Sequence, residues 1–301
     1  MKIASILCFV TTIVLCQNVL EDISKEPSLS SLNAALNYGV SPGLRNCLTS
    51  NENLTFMAPS NFAFENANFS NPLYPGLNNT LFYHLATKLL PNFANSVVPL
   101  DMKLPSIFYK TNENSLACPV RFNNYSAFAG LKPVLTVNGQ VFENTIKASN
   151  GGIVVVGAFL YPPIGTLVQT LIKSDFGLSL FFNYFAKCTP EAQETLISSP
   201  TIFVPNNKAF LDVKNLLSGF SAQQISNLLL NHALNYSVPI FSPAFPSVID
   251  LANSAGSFLR IRSVSGVVSV ESSHKKEATV VTKDIFYLGG VLHSIDLVLF
   301  P

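Results

Sequence analysis

The sequence predicts an α+β chain of two tandem domains. Three observations point there: an internal repeat, helix patterns that precede strand patterns in each copy, and a length of 301 residues. A single domain usually takes about 100–200 residues, so two are expected. Hydrophobic residues make up 48% and charged residues 12%. That composition supports packed cores and argues against disorder.

The repeat is read from three ordered matches. Thr55–Phe64 (TFMAPSNFAF) recurs as Thr201–Phe210 (TIFVPNNKAF), 146 residues on. Leu81–Ala86 matches Leu229–Leu234, and Asn150–Pro162 matches Gly289–Pro301. The spacing exceeds a solenoid unit, so each copy is a whole domain. The expected boundary is Pro162-Pro163, where helix and central strand are both disfavoured. The expected division is a leader over 1–16, then domains over 25–163 and 164–301.

Each element has a local reason. Pro59 and Pro205 end a strand, and the polar residues after them cap a short helix. Ser221 with Gln224 makes a capping box, with Phe220 and Ile225 as the hydrophobic staple. Ile225, Leu228, Leu229 and His232 then form one helical stripe. Leu77, Leu81, His84 and Leu85 form its counterpart. Later segments change to period two: Val267, Val268 and Val270, then 278–281, are rich in β-branched residues. The final run places Val291, His293, Ile295, Leu297 and Leu299 on one face. Gly151-Gly152 and Gly289-Gly290 precede strands rather than helices, so they predict hairpins, not phosphate cradles.

The N-terminus has the pattern of a secretory leader. Lys2 precedes fourteen uncharged residues, and Gln17 would begin the mature chain. The run is short for a membrane span, which needs about 20 residues. Asn53, Asn68, Asn78, Asn124 and Asn235 are N-glycosylation sequons without proline. The end at Pro301 shows no signal for a lipid anchor. Cys47 and Cys118 share the first copy and are the candidate disulfide; Cys188 is left over.

These residues resemble the fasciclin (FAS1) domain family. Both copies carry its opening strand and turn, followed by a helix ending in His84 or His232. The second copy matches its closing motif, Gly290-Val291-Leu292-His293-Ser294-Ile295-Asp296. The first has Val154 and Gly157 where the family has His and Asp. The resemblance implies a β-sandwich wedge with helices on one edge, and extracellular adhesion or matrix association. It also makes Tyr83-His84 a candidate partner contact, against the plainer reading of a packed helix.

Chemistry is sparsely encoded. The four histidines do not converge at metal-ligand spacing, and no nucleophile elbow or P-loop occurs. His293 and Asp296 stand at opposite strand parities and predict opposite faces. Without Lys2 the chain is electrically neutral, which gives nucleic acid no footprint. The expectation is a non-enzymatic adhesion protein without cofactor, with no span in the mature chain, contacting a cell-surface or matrix protein or glycan. The alternatives are a carrier or enzyme using an inter-domain cleft, and a vacuolar or other endomembrane protein. Nothing in the sequence signals the oligomeric state.

Overall fold

The computed structural model describes residues 18–50, 53–67, 76–90, 101–106, 119–126, 128–273 and 276–301. The leader, Asn68, Cys118 and His274 lie outside them.

Helices come first in each half. The N-terminal half opens with α1 (Val19–Lys25), α2 (Ser30–Tyr38) and α3 (Pro42–Thr49). Strand β1 (Leu54–Pro59) follows, then α4 (Asn61–Glu65), α5 (Leu77–Tyr83) and β2 (Leu85–Ala86). Strands β3 (Asp101–Pro105), β4 (Pro119–Asn124), β5 (Leu135–Val137), β6 (Gln140–Ala148) and β7 (Gly151–Val156) complete it. The C-terminal half repeats the plan with α6 (Leu167–Ile172), α7 (Ser179–Phe185) and α8 (Pro190–Ser198). Next come β8 (Thr201–Pro205), α9 (Asn207–Asp212), α10 (Lys214–Leu217) and α11 (Ala222–Leu230). Its strands are β9 (Val248–Ala252), β10 (Phe258–Val264), β11 (Val267–Glu271), β12 (Glu277–Tyr287) and β13 (Gly290–Ile295).

The two sheets share one order, β1-β7-β6-β5-β4-β3 and β8-β13-β12-β11-β10-β9, and the first adds β2 beyond β1. Each is antiparallel except for one parallel pair, β1 with β7 and β8 with β13. The long strands β6 and β12 carry register shifts. Such bulges bend a strand, and here they turn each sheet over on itself as a wedge.

Alternation sorts side chains between two cores per half. Ile202 and Val204 face the helices, beside Phe210, Leu228 and Leu292. Phe203 faces the inside of the wedge, with Val291, Ile295 and Ile261. Phe56 and Ala58 against Met57 repeat the division in the first half. β13 ends at Ile295, so the expected face does not run on unbroken: Leu297 lies beyond the strand and is exposed. The hairpin loops are 149–150 and 288–289, just before Gly151 and Gly290. The glycines answer a different need. A Cβ on Gly151 would lie 2.3 Å from Leu54 O, and one on Gly290 2.0 Å from Pro200 O. Only glycine lets the parallel strand pair start that close.

Candidate functional site

The repeated histidines are structural clamps. Each follows its helix and is fully buried. Leu160 N–H donates to His84 Nε2 (2.8 Å), so Nδ1 carries the proton and donates to Met57 O (2.5 Å). Leu299 N–H donates to His232 Nε2 (2.9 Å), and Nδ1 donates to Leu228 O (2.8 Å). Each ring thus ties its helix region to the segment that closes its half. Burial pushes both imidazoles down to about 4, leaving them neutral.

The candidate contact Tyr83-His84 is not at the surface. Tyr83 is fully buried, its hydroxyl donating to Pro119 O (3.3 Å) and accepting from Asn138 Nδ2 (2.8 Å). The helix stripe that presents His84 to the core carries Tyr83 into the wedge beside Phe122. Neither side chain offers a partner any surface.

His293 takes the opposite tautomer from the two clamps. Asp284 N–H donates to Nδ1 (3.3 Å), so Nε2 donates to Ile240 O (3.0 Å). Burial lowers its proton affinity, and the Asp284 carboxylate partly opposes that. Asp284 sits at φ 58°, where few non-glycine residues go. Its carboxylate accepts from Ser242 N (2.7 Å) and Ser242 Oγ (2.5 Å). Asp296 faces elsewhere and accepts from Thr279 N (2.7 Å). Pro59 and Pro205 sit at the strand ends opposite Val156 and Ile295. Asn206 caps α9 through Ala209 N, whereas Ser60, its counterpart, makes no side-chain cap.

The halves meet through one continuous junction. Tyr125 and Leu131 enter the same core as Phe241, Ala244 and Phe245. The Tyr125 hydroxyl donates to Pro239 O (2.8 Å) and accepts from Phe241 N (3.2 Å). Arg121 holds Asp101 at 2.6 and 2.7 Å and reaches Gly289 O (3.3 Å). Beside this contact opens a cleft of about 210 Å³, lined by Gln140, Tyr161, Phe176, Lys283 and Asp284 among others. Its side chains offer hydrogen bonds and aromatic faces, with no assembled nucleophile and base. Among the described residues, no three His, Cys, Asp or Glu side chains are grouped to hold a metal. No helix among them is long and apolar enough to cross a membrane.

The outer face of β9–β12 carries the most exposed chemistry. One row crosses the strands as Asp250, Arg260, Glu271 and Glu277, the next as Val248, Arg262, Ser269 and Thr279. Arg260 bonds both oxygens of Asp250 (2.8 and 2.9 Å), and Arg262 bonds Glu271 (2.8 Å). The Arg260 bond holds the Asp250 carboxyl below its ordinary range. Around these paired charges stand exposed apolar side chains: Val248, Phe258, Val264, Val267 and Val281. Sequence reasoning missed this face. Its signal was alternation at 258, 260, 262 and 264, with apolar residues on the side that should have been polar.

The sequons lie in different surroundings. Asn53 and Asn235 are exposed. Asn78, on α5, accepts from Ser41 N (3.0 Å), and half-buried Asn124 accepts from Ser126 N (3.0 Å). Cys47 packs at the edge of the helical core of the first half, and its candidate partner Cys118 is outside the described residues. Cys188 is a buried thiol, and burial pushes its proton affinity up.

A family model for the fasciclin domain matches residues 178–301. Periostin from Homo sapiens is 26% identical over 88% of this chain and 30% of its own length. Transforming growth factor-beta-induced protein ig-h3 from Sus scrofa is 26% identical over 90% of this chain and 36% of its own. The fasciclin-like arabinogalactan protein CTB11 from Cercospora beticola is 30% identical over 42% of this chain and 32% of its own. The chain therefore spans about a third of the length of these relatives. A solved FAS1 domain pair from the insect cell adhesion molecule fasciclin I is similar over 94% of this chain and 97% of its own, with 16% identity and a TM-score of 0.40. Residues 178–301 are thus matched as a fasciclin (FAS1) domain, and the repeated opening motif, with relatives 26% identical over 88% and 90% of the chain, makes the whole chain similar to that family.

Proposed function

We propose that the protein is an exported, glycosylated, non-enzymatic adhesion or matrix-associated module of two fasciclin-like domains, over 25–163 and 164–301. It contacts a protein or glycan partner through the outer face of β9–β12. The observation that carries this reading is that face: apolar side chains around charges that already neutralise one another. Contiguous exposed apolar groups of this kind mark interaction surfaces. The test is retention of cells on immobilised mature protein. Val264→Lys with Val267→Lys should abolish retention without moving the melting temperature, because both valines are exposed on a hairpin. Undiminished retention by the double variant would exclude this face. No retention by the unmodified protein on any cell or matrix material would end the adhesion reading.

The cleft beside the junction supports a second reading, a carrier of a small ligand. Native mass spectrometry of protein from its natural source separates the two: a stoichiometric bound molecule favours the carrier. Fractionation with and without N-glycosidase separates export from residence in an endomembrane lumen.

A further inference from the structure

We propose that the N-glycan on Asn235 lies down across the outer face of the C-terminal sheet and packs its first sugars on Phe258, in a polar hollow beside the Asp250–Arg260 pair. The inference rests on the secretory reading above and deepens it. It starts from backbone register. Leu234 pairs with Asn253, both buried, and Asn235 N–H donates to Ala252 O (2.9 Å). Alternation therefore puts Asn235 opposite Ala252 and on the outer face, and its side chain is exposed. Ala252 in turn pairs with Phe258. Asn235, Ala252 and Phe258 form one row, from the segment bridged to β9 at Leu234 across β9 to β10, about 10 Å from end to end at ordinary strand spacing.

Nothing bulky stands between the two ends, because the middle residue is alanine. Phe258 is 63% exposed, the most exposed phenylalanine among the described residues. Next to it a hollow of about 280 Å³ is lined by Asp250, Ser257, Arg260, Glu271, Ser272 and Ser273. An aromatic face beside hydroxyls, a carboxylate and a guanidinium is what a pyranose ring needs. Its C–H face stacks on the ring, and its hydroxyls and acetamide bond the polar groups. A glycan anchored at Asn235 reaches this place without loss of translational freedom, since the covalent link holds it there. Ser237, the third residue of the sequon, is also exposed. The docked glycan covers the Phe258 end of the face and leaves the valine end at Val264 and Val267 open.

The test uses the full chain secreted from a eukaryotic host, with site occupancy read by glycopeptide mass spectrometry. Asn235→Gln is expected to lower the melting temperature by about 2–4 °C. In a Phe258→Ser background the same change should shift it by less than about 1 °C. A sugar proton of the Asn235 glycan should be moved upfield by the ring in the native protein and return to its free position in Phe258→Ser. Equal melting shifts in both backgrounds, with no ring-dependent sugar resonance, would overturn the docking. So would an empty Asn235 in a chain that carries sugar at Asn53. Absence of sugar at every sequon would overturn the secretory reading together with it, whereas loss of cell retention alone would leave the docking intact.

Discussion

The two halves share one topology yet stabilise it differently. Both use a buried histidine to clamp the closing segment, at His84 and His232. They diverge at the closing motif. In the C-terminal half His293, Asp284 and Ser242 form a polar knot that holds 240–242. In the N-terminal half Val154 stands at that place within an apolar core, and Gly157 replaces Asp296. The Arg–Asp pairs differ in the same sense. Arg121–Asp101 on β3–β4 has side chains 5% and 21% exposed, whereas Arg260–Asp250 on β9–β10 has both at 49%. The same bond is thus turned inward at the junction in one half and outward to solvent in the other. A repeated fold conserves its backbone needs, while its side chains follow what each copy touches.

The largest expected effect tests what the halves share. Both clamp histidines have folded values of about 4 against an ordinary 6.5. The unfolded chain therefore binds protons first as pH falls. Their contribution is complete above pH 6.5 and is lost as pH drops toward 4. Each should cost about 3 kcal/mol across that window, so the pair together should cost about 6 kcal/mol. Urea midpoints from pH 7 to 4.5, with histidine NMR titrations, check this; a clamp titrating near 6.5 would break the symmetry.

The next prediction sharpens the difference between the repeated turns. Phe210 is fully buried among Phe181 and Tyr184, but its counterpart Phe64 is only half-buried against Phe159. Phe210→Ala should cost about 4 kcal/mol and Phe64→Ala about half of that. Equal costs by denaturant melts would mean that the first half packs as tightly as the second.

The ion pairs come third. Arg121→Ala should destabilise by about 3 kcal/mol, because it strands Asp101 at a buried junction. Arg260→Ala should leave the melt unchanged within error, since solvent takes over from an exposed partner. A matching loss at both positions would contradict the contrast drawn above.

The smallest effect concerns the junction itself. Tyr125→Phe removes a hydroxyl bonded to Pro239 O and Phe241 N, leaving both without that partner, and should cost about 1–2 kcal/mol. If the junction couples the halves, calorimetry should show one transition in the native chain and a broader one in the variant.

Much of the fold was legible because local rules and tertiary outcome agree here. The capping box at Ser221 and Gln224 forms as read, and the β-branched runs at 267–270 and 278–281 lie in β11 and β12. The site was less legible. Tyr83-His84 is a surface motif only by resemblance; helical spacing already placed His84 on the apolar stripe, and Tyr83 proved buried as well. Asp284, Tyr125 and Arg121 gave no warning, because their partners lie 42, 116 and 168 residues away at Ser242, Phe241 and Gly289.

The sequence by itself determined the duplication, the order of helices before strands, the capping residues and the period-two runs at 267–270 and 278–281 that become strands. These depend on neighbours within a few residues, and on periods of 3.6 and 2 that the chain carries wherever it goes. Only the tertiary structure decided which histidine tautomers form, which Arg–Asp pair is buried, and that Asn235 and Phe258 share one row. Those outcomes depend on strand register and on the docking of one half against the other. A one-residue slip in register would move every one of those side chains to the opposite face.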